Sequence, residues 1–185
     1  MLSEAKHLWS VFARERAEID PRFFTSLRMK SKAALNGEEK SRTFFMATVA
    51  LRSPSEKVDA LFYFGRMLDK IRLHAKGELP LDYHANLGKG FDEKCANFLR
   101  IDYGQLVERM KRGGTDEEIL QWCFENGRRP DENEVYVWNE FMRKRGWNDE
   151  VSEILERRKR EAGMTNRSDI QTSFQFIDAD EGRLP

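Results

Sequence analysis

Three groups of residues have types and spacings that chemistry could use. The first sets Arg66, Asp69, Lys70 and Arg72 ahead of Tyr83-His84-Ala85-Asn86 and Gly88-Lys89-Gly90. On a helix Asp69 pairs with Arg66 or Arg72, three residues away on either side, which leaves Lys70 and Lys89 to meet an anion. Gly88 and Gly90 stand just before Asp92, where backbone N–H groups and the positive end of a following helix can face a phosphate or carboxylate. His84 is the one central side chain whose ordinary pKa suits proton transfer near neutrality, although a loop histidine bonded to a helix end is purely structural. The glycine segment fits neither the P-loop spacing nor GxGxxG, so it signals an anion in general and not a nucleotide.

The second group is Asn126-Gly127-Arg128-Arg129-Pro130, followed by Asn139 and Arg143. Arginines between a glycine stop and a proline start can grip carboxylates or phosphates in bidentate fashion, or cap the last carbonyls of a helix. The third is the basic run Arg143-Lys144-Arg145 with Arg157-Arg158-Lys159-Arg160 near Trp147, interleaved with Glu150, Glu153, Glu156 and Glu161. Nucleic-acid binding needs uncompensated charge on one face, so this alternation reads instead as a solvated helix with ion pairs. Residues 103 to 126 have the length and turn glycines of a helix-turn-helix. The would-be recognition helix opens Asp116-Glu117-Glu118, which would repel a phosphate backbone. Nucleic acid is therefore not an expected partner.

No HExxH, nucleophile elbow or zinc spacing is present, and no metal or cofactor is expected. Asp178-Ala179-Asp180-Glu181-Gly182 hints at a calcium loop, but its glycine comes one position early. Cys95 and Cys123 lack any CxxC or Cys/His ligand spacing and read as free thiols.

The elements that would position these groups are helical. Ser53-Pro54-Ser55-Glu56 has the form of a capping box, and Val58, Leu61, Phe62, Met67, Leu68 and Ile71 then recur at helical spacing until Gly77, predicting one helix of about 22 residues. Asp92 opens a helix carrying Phe98 and Leu99. Asp102 with Gln105 opens another with Leu106 and Met110 inward. Thr115 with Glu118 caps a helix bearing Ile119, Leu120, Trp122 and Cys123, and Pro130-Asp131 starts one whose Val135, Trp138, Phe141 and Met142 face the core. Gly146 as a left-handed stop predicts that Trp147 packs back on Met142. Asn148 or Asp149 begins a charged helix with Val151, Ile154 and Leu155 inward, and Ser168 with Gln171 predicts a last short helix carrying Ile170, Phe174 and Ile177. No strand pair is expected, Thr43 to Leu51 being the only strand candidate. The fold class is all-α: a compact irregular bundle of about six to eight helices joined by short loops.

Composition agrees. The chain has 185 residues, 39% of them hydrophobic and 35% charged, with 32 basic and 32 acidic side chains. That composition excludes a disordered protein, and the charge balance argues against a surface basic throughout. Residues 1–45 carry nine basic and six acidic side chains. They read as an N-terminal extension, with a short amphipathic helix at Leu8, Trp9, Val11 and Phe12 and with Met46 as an alternative start. Residues 46–163 form the helical domain and 164–185 a short helix and tail packing on it. The charges at Glu4, Lys6, Arg14, Glu15, Arg16 and Glu18 fit no signal peptide, and no apolar window is long enough to cross a bilayer; a cytoplasmic location is expected.

The ordered segments Leu51-Arg52-Ser53-Pro54, Met67-Leu68-Asp69-Lys70-Ile71-Arg72, Asn86-Leu87-Gly88-Lys89-Gly90-Phe91-Asp92, Phe141-Met142-Arg143-Lys144-Arg145-Gly146-Trp147 and Asp178-Ala179-Asp180-Glu181-Gly182 together resemble the bacterial domain-of-unknown-function family 5069. The resemblance runs from about Leu51 into the C-terminal region. It implies a helical bacterial protein and supplies no catalytic residues. The expected role is a binding or interaction module, for a protein partner or a small anionic ligand. The alternative is an enzyme or sensor for a small anionic metabolite, using Asp69, His84 and Lys89.

Overall fold

The structure is a computed structural model that describes residues 51–184. The expectations for residues 1–45 and for a strand beginning at Thr43 lie outside the described residues. Within them the chain forms a hairpin of two two-residue strands, β1 (Lys57–Val58) and β2 (Leu61–Phe62), followed by eight helices. These are α1 (Phe64–Ala75), α2 (Leu81–His84), α3 (Phe91–Leu99), α4 (Tyr103–Met110), α5 (Asp116–Asn126), α6 (Glu132–Lys144), α7 (Ser152–Glu161) and α8 (Ser173–Asp180). The architecture is all-α, with the hairpin as its one departure.

That departure corrects the long first helix. The Ser53 N–H does donate to the Glu56 carboxylate at 3.1 Å, but the turn leads into a strand pair in register Lys57↔Phe62 and Val58↔Leu61. Asn139 on α6 holds the hairpin, accepting from the Phe62 N–H at 3.0 Å and donating to the Ala60 carbonyl at 2.8 Å. A side chain 77 residues away thus satisfies backbone groups that a helix would have satisfied locally. The apolar spacing still marks the core, because Val58 and Leu61 are buried in the hairpin as Met67, Leu68 and Ile71 are on α1. Tyr63 turns the chain from strand to helix in the left-handed region, φ 71°. A bulky side chain rarely adopts that backbone unless its surroundings fix it.

Side-chain caps fix four of the helix starts, at Asp102, Thr115, Asp131 and Thr172, whereas α1, α2, α3 and α7 follow Tyr63, Pro80, Gly90 and Val151 without one. Asp102, Thr115 and Asp131 each accept from the N3 backbone N–H, and Thr115 and Asp131 complete capping boxes with Glu118 and Glu134. Three ends differ from expectation, the first being α7, which begins at Ser152 and not at Asn148 or Asp149. The last helix is capped by Thr172 with Gln175, four residues beyond Ser168. The glutamine side chain there reaches back to the Thr172 N–H, closing the box. At the end of α6 Gly146 has positive φ, yet Trp147 stays 51% exposed and does not fold back. Arg145 takes the covered place, buried over Phe141 and paired with Asp149 and Glu150.

Packing follows from the apolar stripes. α1 lies against β1 and α4, α3 against α4, α4 against α5, and α6 against β2 and α8, which also meets α7. The principal core joins Phe64, Met67, Leu68, Leu99, Leu106, Ile119, Trp138, Met142 and Phe174 among others; a smaller one gathers Leu155, Ile170, Phe176 and Ala179. Gly127 is required where α5 runs into the end of α3: a Cβ there would stand 2.2 Å from the Leu99 carbonyl oxygen.

Candidate functional site

The polar residues of α1 enter three clusters. In the first, Lys70 is buried and its Nζ lies 2.6 Å from the Asp92 carboxylate, itself at 0% exposure. The ammonium also donates to the Tyr63 hydroxyl at 3.0 Å, and that hydroxyl donates to Asp92 at 3.0 Å. The second Asp92 oxygen accepts from the Gly88 N–H at 3.2 Å. The protein's own carboxylate thus takes up the lysine and a backbone amide that the sequence offered to an external anion, so Lys70 is not free. Gly88, at φ 69°, fits under the Tyr103 ring because a Cβ would come within 2.8 Å of it. Burial drives the Tyr63 hydroxyl pKa up, with the Asp92 charge adding to it, and the phenol stays protonated. Burial also lowers the Lys70 pKa, against the opposing pull of Asp92.

In the second cluster Asp69 is gripped from outside its own helix. Arg52 reaches it through Nε at 2.8 Å and Nη2 at 2.7 Å, a bidentate fork, and donates to Asp116 at 2.5 Å. Arg72 pairs with Asp116 at 2.6 Å and stands 3.9 Å from Asp69. Burial would raise the Asp116 carboxyl pKa; Arg52 and Arg72 outweigh it and hold it below the ordinary range.

The third cluster ties the two ends of the described chain. Arg66 is buried, pairs with Glu181 and donates to the Arg52 carbonyl at 2.7 Å. Tyr83 donates to Glu181 at 2.8 Å. Arg183 pairs with Asp178 and Glu181 and donates to the Leu51 carbonyl, while the Ser53 hydroxyl donates to Asp178 at 2.8 Å. The segment that hinted at a calcium loop is therefore neutralised by arginines. Among the described residues no group of three or more His, Cys, Asp or Glu could hold a metal ion.

The remaining candidates are placed individually. His84 is exposed at the end of α2, with Nε2 2.9 Å from the Leu79 carbonyl and its ring edge-on to His74 at 4.9 Å. Lys89 and Gly90 are exposed. Asp69 faces arginines, His84 faces a carbonyl and a second imidazole, and neither lines the two depressions described below. Arg128 satisfies the end of α3, donating from Nε to the Phe98 carbonyl at 2.9 Å and pairing with Glu134. Arg129 donates to Gln121 and lies over the Phe124 ring. Asn139 holds the hairpin, and Arg143 forks onto Glu140 beside Lys144. The second group is thus dispersed into separate structural tasks. Cys95 and Cys123 are free and buried, and burial raises both thiol pKa values, that of Cys123 to about 12.

Two adjoining surface depressions open at the α4–α5 turn. One is lined by Arg109, Arg112, Gly113, Gly114 and Glu118. The other is lined by Asp102, Gly104, Gln105, Glu108, Arg109, Arg112 and Trp122. Their acids are already engaged: Asp102 caps α4, Glu118 closes the Thr115 capping box, and Glu108 holds Lys111 at 2.6 Å. Arg109 donates to the Gly113 carbonyl at 2.7 Å. The exposed Arg112 guanidinium has no ion pair or side-chain hydrogen bond among the described residues. This place escaped sequence reasoning because Arg109 and Arg112 fit no motif and stand beside acids in the chain. Only the tertiary geometry shows that each of those acids already holds a hydrogen bond or an ion pair.

No helix among the described residues is long and apolar enough to cross a membrane. No curated protein matches the sequence. The family described as Domain of unknown function (DUF5069) matches residues 48–183, most of the chain and nearly all of what the structure describes, and the chain belongs to that family.

Proposed function

We propose that the domain is a binding module for a small anionic ligand, received over the Gly113–Gly114 turn by Arg112 with Arg109 beside it. The observation that carries this reading is the convergence of both depressions on the same two arginines, one of them without a protein partner. The other cations considered on α1 and around Gly127 are committed: Lys70 to Asp92, Arg66 to Glu181, Arg52 and Arg72 to Asp69 and Asp116, and Arg128 to Glu134. A guanidinium offers planar paired donors that match carboxylate and phosphate oxygens, and Gly113, with nothing within 4 Å of its Cβ position, permits close approach of the ligand. No proton-transfer or nucleophilic pair lines either depression, which favours binding over catalysis.

Thermal unfolding in the presence of a panel of small carboxylates and phosphates tests the reading. A ligand that binds the native state raises stability by RT ln(1 + [L]/Kd), about 2.7 kcal/mol at a hundredfold excess over Kd. At least one anion is expected to raise Tm for the native sequence and to lose that effect in Arg112→Glu. A panel without any shift, or a shift unchanged in Arg112→Glu, overturns it.

A further inference from the structure

We propose that the ligand is a mononucleotide, its phosphate on Arg112 and Arg109 and its base lying on Trp122. This rests on the anion-binding reading and deepens it. The second depression differs from the first in what it adds to the shared arginines. It brings the half-buried Trp122 of α5 and, from α4, the exposed Gln105 and Glu108. Trp122 packs against the core along one side, but among the described residues its indole stacks on no other ring, unlike Trp138, which lies parallel to Phe98 at 4.6 Å. A partly buried indole that lines a depression offers surface to a planar aromatic group.

The polar groups around that platform fit a base better than a plain hydrocarbon ring. The Gln105 amide both donates and accepts, and it has no side-chain hydrogen bond among the described residues. One Glu108 oxygen pairs with Lys111, and a carboxylate keeps further acceptor sites for an amino or imino N–H. A ring bearing N–H donors and nitrogen or oxygen acceptors on its edge, joined by a short polar spacer to a dianionic group, satisfies the two depressions together. A free sugar phosphate satisfies only the arginine side, and a free nucleoside only the indole side.

Isothermal titration of the full chain with AMP, GMP, CMP, UMP, ribose 5-phosphate, adenosine and inorganic phosphate separates the outcomes. AMP is expected to bind at least tenfold more tightly than ribose 5-phosphate. Arg112→Glu should weaken both phosphates, and Trp122→Leu should bring AMP down to the level of ribose 5-phosphate while leaving the latter unchanged. If AMP, GMP, CMP and UMP bind no better than ribose 5-phosphate, the base platform is refuted and the anion site stands. If no phosphate binds at millimolar concentration to chain whose melting transition is intact, the mononucleotide proposal falls. Whether other anions bind is then decided by the thermal panel above. The comparison among ligands needs no variant, so a Trp122→Leu chain that fails to fold does not shield the proposal.

Discussion

Lys70 Nζ and the Asp92 carboxylate meet at 2.6 Å where neither is open to solvent, and the Tyr63 hydroxyl bonds to both. A buried ion pair is a poor source of net stability, because removing both charges from water costs about as much as their attraction returns. Losing one partner is different. Asp92→Ala or Lys70→Met strands a charge in the core and should cost about 3–5 kcal/mol in urea unfolding. The double substitution Lys70→Met with Asp92→Leu should cost far less than the sum. Additive losses would show that the two residues act through separate contacts.

The clasp of Arg66 with Glu181 predicts an acid limit. Burial pushes the Glu181 carboxyl pKa up, but Arg66, Tyr83 and Arg183 overcome that and hold it below its ordinary value. A carboxylate with a depressed folded pKa contributes stability above its unfolded pKa, about 4.3, and loses it as pH falls through the folded value. Stability should therefore decline below about pH 4.3, and Glu181→Gln should make that decline shallower while lowering stability at pH 7 by roughly 1–3 kcal/mol. Denaturant midpoints at several pH values check both. An unchanged slope in the variant would remove Glu181 from the acid transition.

Asn139 is predicted to hold β1 and β2 in place. Asn139→Ala leaves the Phe62 N–H and the Ala60 carbonyl without their partner and should cost about 1–3 kcal/mol. Amide hydrogen exchange at Phe62 should speed up by more than the global loss explains. Equal acceleration across the core would mean that the bond does not pin the hairpin.

Trp138 and Trp147 should behave oppositely although nine residues separate them. Trp138 is 3% exposed, stacked on Phe98, and its truncation to Ala should cost roughly 3–5 kcal/mol. Trp147→Ala should fall within about 0.5 kcal/mol of the native sequence, since half of its surface is open. Equilibrium unfolding of the two variants decides this. A large loss at Trp147 would restore the packing on Met142 that Gly146 suggested.

The helix caps at Asp102, Thr115 and Asp131 were legible in the sequence because a cap is a bond across three residues, fixed by local chain geometry. So was the core: the residues that recur at helical spacing are mostly the buried ones, even from Val58 to Leu61 where the backbone is a hairpin. What tertiary structure alone decided is where charges and distant backbone groups find partners. Asp69 chose Arg52 over its helical neighbour Arg66 because a fork of two short bonds from an adjoining segment outdoes a pair along the helix. Asn139 turned the first part of a predicted helix into a hairpin by supplying hydrogen bonds from 77 residues away. Lys70 lost its freedom to Asp92, and Arg112 kept its own because the acids around it had caps and a lysine to serve. Local sequence carries spacing and propensity; the competition among polar groups for partners is settled only when distant parts of the chain have packed.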